Sequence, residues 1–69
     1  MASYQIFARV GAEWRPLAAQ AWPTRGIAMA QYETYRTLQG LRHLPMQLRF
    51  GPCAELRAGG GQVLEELNP

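Results

Sequence analysis

Cys53 is the only cysteine of the chain, and that one count removes the staple on which many very small domains rely. No internal disulfide can form, and a lone thiol points to a reducing compartment. A structural metal is no better provided for. His43 is the only histidine and aspartate is absent, whereas a closed zinc site needs about four ligands. At 69 residues, a folded chain buries only about 60% of the surface that its unfolded state exposes. The core is therefore marginal, and self-association or a protein partner is the expected supplement.

The hydrophobic fraction of 48% fits a folded globule and not a disordered segment. No run approaches the roughly 18 consecutive apolar residues of a membrane helix. The opening MASYQIFARVG has no basic segment followed by an apolar block, as a secretory signal requires. The expectation is a cytoplasmic protein without a membrane partner. All seven basic residues are arginine, whose planar fork suits carboxylates and phosphates. Their charge is unevenly placed: residues 1–53 carry a net +4 and residues 54–69 a net −2.

In SYQIFARV, Tyr4, Ile6, Ala8 and Val10 alternate with Gln5, Phe7 and Arg9, the period of a half-buried strand. Gly11-Ala12 supplies the glycine that a two-residue hairpin turn needs. That turn places Val10 opposite Glu13, Arg9 opposite Trp14, Ala8 opposite Arg15 and Ile6 opposite Leu17. Tyr4, Ile6, Leu17 and Ala19 then share the buried face, while Arg9 lies over Trp14 on the other, a contact of about 0.5–1 kcal/mol. Pro16 has no N–H, which makes the second strand an edge.

Pro23 ends the extended pattern, and Thr24 is an N-cap for a helix over residues 25–39. Ile27, Ala30, Gln31, Thr34, Tyr35, Leu38 and Leu41 fall on one side of it, with Met29, Glu33 and Arg36 opposite. The first set is the expected core face, with Tyr32 at its flank. Gly40 stands where a helix ends. Met46, Leu48 and Phe50 alternate with Gln47 and Arg49, giving a third strand over residues 46–50. Beyond it, Gly59-Gly60-Gly61 reads as a flexible joint. Its flanks could form a late hairpin or a short acidic helix over 63–67, and a poorly fixed tail is the favoured reading.

The resulting fold class is α+β. Residues 1–53 form a ββαβ core with a three-stranded antiparallel sheet, order 2-1-3, and one helix on one face. Residues 54–69 form the glycine-rich joint and acidic C-terminal tail or hairpin. The second sheet face is then uncovered, and Phe7, Arg9, Trp14 and Arg49 share it as candidate partner-binding residues.

Catalysis finds little support. Cys53 and His43 are the one thiol–imidazole pair, and a nucleophile needs its base within hydrogen-bond reach. Glu65 and Glu66 are adjacent, so their side chains diverge. GGGQ lacks the lysine and hydroxyl of a phosphate-binding loop. No catalytic, metal or cofactor residue is assigned. The expected function is a non-enzymatic protein–protein interaction or accessory module. It would bind a partner or a second copy through the open sheet face or edge, with pairing of the third strand between two copies as one route to a homodimer. The alternative is single-strand or RNA binding on the arginine–aromatic face.

Overall fold

A computed structural model describes residues 1–67. The chain runs β1 (Ala2–Val10), β2 (Glu13–Pro16), α1 (Arg25–Thr37), β3 (Met46–Pro52), α2 (Cys53–Arg57) and β4 (Gln62–Leu67). The strands form one antiparallel sheet in the order β2-β1-β3-β4. The α+β class stands, but the sheet has four strands and not three.

The fourth strand corrects the reading of 62–67 as a loose tail or acidic helix. β4 pairs with β3 from Met46↔Leu67 to Phe50↔Gln62. Two glycines make the return possible: Gly59 and Gly61 have φ of 89° and 95°, a region that other residues enter only with strain. Gly61 is also crowded, because a Cβ there would lie 2.6 Å from Leu56 Cδ2. The glycine run is a packed corner between α2 and β4, not a free joint.

At the other edge the hairpin follows its turn. Gly11 has φ of 66°, and Val10↔Glu13, Arg9↔Trp14 and Ala8↔Arg15 pair as the alternation requires. β2 stops at Pro16, and the chain leaves the sheet after Leu17 to return at Trp22, which exchanges backbone hydrogen bonds with Tyr4. The buried Gln5 carboxamide fills the gap in the ladder. Its Oε1 accepts from the Ile6 N–H at 2.8 Å, and its Nε2 donates to the Ala18 and Gln20 carbonyls. The first of these satisfies the N–H of the buried Ile6, which would otherwise be unpaired.

α1 begins where Thr24 Oγ1 accepts the Ile27 N–H at 3.2 Å, and Arg25 ties its first turn to Glu65 of β4 at 2.6 Å. Its buried face differs from the expected one. Ala28 and Tyr32 pack on Ile6, Ala8, Met46, Leu48 and Leu67, with Met29 partly buried beside them. Ile27, Ala30, Thr34 and Leu38 instead face solvent. Leu17, Trp22 and Leu44 from the connections pack against this core, as does Leu41 of the expected set. Among the described residues, no helix is long and apolar enough to cross a membrane.

Candidate interaction surfaces

The sheet face turned away from α1 gathers all four candidate residues. Phe7 is paired with Gln47 and Pro16, Arg9 with Trp14, and Gln5 with Arg49, so their side chains share one side by the two-residue period. Their exposure is unequal. Phe7 is 0% and Arg49 7% exposed, Trp14 is half-buried, and only Arg9 lies in solvent. The guanidinium over the indole is that of Arg49, at 5.8 Å, and it also lies 4.1 Å above the Phe7 ring. Arg9 instead donates from Nε to the Gly11 carbonyl.

The donors of Arg49 can be accounted for almost completely. Nε and Nη2 donate to Gln47 Oε1 at 3.1 and 2.9 Å. Nη1 donates to the Gly59 carbonyl at 2.6 Å and to the Gly60 carbonyl at 3.3 Å. A guanidinium has five N–H groups, so about one remains free. Gln47 passes the contact on, donating from Nε2 to Glu66 Oε2 at 2.9 Å. Burial lowers the Arg49 pKa, and the Glu66 carboxylate partly opposes that shift. Arg49 thus clamps the glycine corner onto the sheet and roofs Phe7. With Leu56 of α2 buried as well, this face is largely closed.

Three of the six other arginines are ion-paired. Arg15 pairs with Glu13, Arg25 with Glu65 and Arg36 with Glu33. Arg9, Arg42 and Arg57 remain without an ion pair among the described residues, and they lie on three different segments.

The outer side of α1 is the surface that the sequence places in the core. Ile27 is 43% and Leu38 81% exposed, with exposed Ala30 and Thr34 between them. Their spacing of three, four and four residues makes one continuous stripe along the helix. Thr34 Oγ1 donates to the Ala30 carbonyl at 3.1 Å and Thr37 Oγ1 to the Glu33 carbonyl at 2.6 Å, so both hydroxyls are engaged within the helix. Arg25, Glu33 and Arg36, the charges of α1, lie off the stripe. The missed signal was the second apolar set, Ala28, Met29 and Tyr32, which competes with Ile27, Ala30 and Leu38 for the core.

Two other features are less open. β3 is central, flanked by β1 and β4, so pairing of the third strand between copies has no free edge. The edges are β2 and β4, and on β4 Val63 and Leu64 are 42% and 44% exposed. A register shift opposite Leu48/Arg49 and the charges of Glu65 and Glu66 guard it, both of which discourage edge pairing. Behind β2 a cleft of about 280 Å³ is lined in part by Ala18, Ala19, Ala21, Cys53 and Arg57. The Cys53 thiol lies 3.4 Å from Ser3 Oγ.

His43 precedes β3 and Cys53 follows it. Seven strand residues separate them by roughly 20 Å, so they form no nucleophile–base pair. Among the described residues, no three His, Cys, Asp or Glu side chains gather as metal ligands. No family model, curated protein or solved structure matches the chain.

Proposed function

We propose that this is a small non-enzymatic interaction module that binds a protein through the outer face of α1. The observation that carries the reading is the uncharged stripe of Ile27, Ala30, Thr34 and Leu38, with Leu38 81% exposed. A contiguous apolar surface on a domain this small costs solubility, and such surfaces mark contact sites. Trp14 and Arg9, accessible at the hairpin, lie on the sheet face turned away from α1 and are not part of this contact. Phe7 and Arg49 act from beneath by holding that face rigid. The protein works in the reducing cytoplasm, where the free Cys53 thiol persists.

Nucleic-acid binding is less well supported. It needs guanidinium groups free to follow phosphates, yet Arg49 is engaged by Gln47, Gly59 and Gly60 and three others are ion-paired.

A photo-reactive benzophenone side chain at position 38, introduced in cells, tests the proposal against the same group at position 12 in the hairpin. Protein adducts at position 38 and none at position 12 are expected. Equal labelling from both positions, or crosslinks only to nucleic acid, sinks it.

A further inference from the structure

We infer that the cleft behind β2 is a binding site for a small aliphatic carboxylate, with Arg57 as the counter-ion of its carboxyl end. This site is separate from the α1 surface and does not depend on it. The cleft exists because the chain bows away from the sheet between two fixed points. The Leu17 N–H donates to the Ile6 carbonyl at 2.9 Å, and Trp22 and Tyr4 exchange backbone bonds of 2.7 and 2.8 Å. Between these points the Gln5 carboxamide holds the bow from inside, donating to the Ala18 and Gln20 carbonyls at 3.1 and 3.2 Å. Gln5 is 3% exposed, so the wall it supports stands without a ligand. Small-molecule sites are largely preformed concavities of this kind, because little ordering is then left for binding to impose.

The lining sets the chemistry of the ligand. Ala18, Ala19 and Ala21 contribute methyl groups from the bow, and the buried Leu56 contributes the apolar part of α2. Among the described residues, Arg57 is the one charged side chain of this lining and has no ion pair. Its neighbour on α2 does not neutralise it. Glu55 Oε2 turns instead toward Gly51, 3.7 Å from where a Cβ would stand. A nucleotide finds less here, since the lining offers one cation and no aromatic ring on which a base could stack.

The match is therefore one negative charge on a short hydrocarbon body. A volume of about 280 Å³ equals about nine waters at ~30 Å³ each, the size of a straight-chain acid of about six or seven carbons. Cys53 supplies a reporter. Its thiol, the only one of the chain, is half-buried in the same lining, so a bound acid should shield it from alkylation.

The experiment is a titration of the isotope-labelled full chain with hexanoate, followed by amide shifts, with hexylamine as the cationic control of equal length. Hexanoate should shift residues 18–21, 53 and 57 saturably, with a Kd between about 0.1 and 10 mM for a ligand of this size. It should also slow the reaction of Cys53 with iodoacetamide, and hexylamine should do neither. Affinity should rise about fourfold per methylene from butanoate to heptanoate and then level off as the chain outgrows the cleft. Arg57→Gln, at an exposed position, should weaken hexanoate binding about tenfold with an unchanged circular dichroism spectrum. Ala21→Leu should weaken it by filling the cleft.

Shifts that never saturate, or that centre on α1, overturn the inference. Equal binding of hexylamine overturns it, as does hexanoate binding indifferent to Arg57→Gln. Affinity that keeps climbing through decanoate places the hydrocarbon outside the cleft and refutes it too. None of these results bears on capture of a protein at position 38, so the two readings fail separately.

Discussion

Replacing Arg49 with alanine tests whether that residue belongs to the surface or to the architecture. The side chain makes four donor contacts, to Gln47 Oε1 twice and to the carbonyls of Gly59 and Gly60. Hydrogen bonds to a charged group contribute about 1.5–3 kcal/mol. The glycine carbonyls lie in an exposed segment and recover water on truncation, which returns part of their share. Gln47 is buried, so its Oε1 is left without a donor at a cost of about 1–3 kcal/mol. Contact with Phe7 and Trp14 adds about 0.5–2 kcal/mol. Relief from holding a cation in a poorly solvated place acts in the opposite direction. The balance is a loss of about 3 kcal/mol, or about 12–24 °C in Tm at ~4–8 °C per kcal/mol for a domain of this size. Arg49→Lys should recover less than half, because one ammonium cannot bridge Gln47 and the glycine corner together. Thermal unfolding followed by circular dichroism measures both. An Arg49→Ala variant melting within about 4 °C of the wild type would falsify the clamp and return Arg49 to the list of binding residues.

Two further outcomes follow from the same geometry. Gly61→Ala should destabilise by about 2 kcal/mol or more, since φ of 95° and a Cβ 2.6 Å from Leu56 Cδ2 act together. Gly11→Asn, at φ of 66° with nothing within 4 Å, should cost under about 1 kcal/mol in the same denaturant titration, and equal losses at both sites contradict the packed corner. Burial raises the Tyr32 pKa from its ordinary 10.0, with Arg36 lowering it and Glu33 and Glu65 raising it further. The unfolded chain therefore releases this proton first, so stability is intact below about pH 10 and falls as pH rises toward the folded value. Tyr32→Phe should remove that part of the alkaline decline in melts from pH 8 to 11, and an unchanged pH profile refutes it.

The sheet was legible where a local rule sufficed. Alternation in residues 4–10 and a glycine at position 11 were enough for the hairpin register, and Pro16 marked the edge because it lacks an N–H. β4 was not legible. Its QVLEEL alternates poorly, and the register shift opposite Leu48/Arg49 breaks the period that identifies a strand. What holds β4 is distant in sequence: the Arg25–Glu65 ion pair spans forty residues, and Arg49 secures the preceding glycine corner from the middle of β3. Three glycines in a row carry no sign of whether they are loose or tightly packed. That depends on Leu56, which α2 carries against Gly61. The open sheet face failed for the same reason, since its cover comes from α2 and this corner.

The helix was legible in extent and cap but not in phase, and that difference bears on function. A helix of thirteen residues with apolar side chains on both Ala28–Tyr32 and Ile27–Leu38 offers two faces, and periodicity alone favours the larger residues. The fold selects the smaller ones, and Leu17, Trp22 and Leu44 pack against that core from connections, where no periodic pattern announces them. Burying Ile27 and Leu38 would have contributed more per side chain, roughly 1.5–3 kcal/mol each. The helix thus leaves an apolar stripe outside. That stripe joins Ile27 and Leu38 with no charged residue between them on the same face. The proposed association through α1 would bury the apolar side chains that this packing leaves outside.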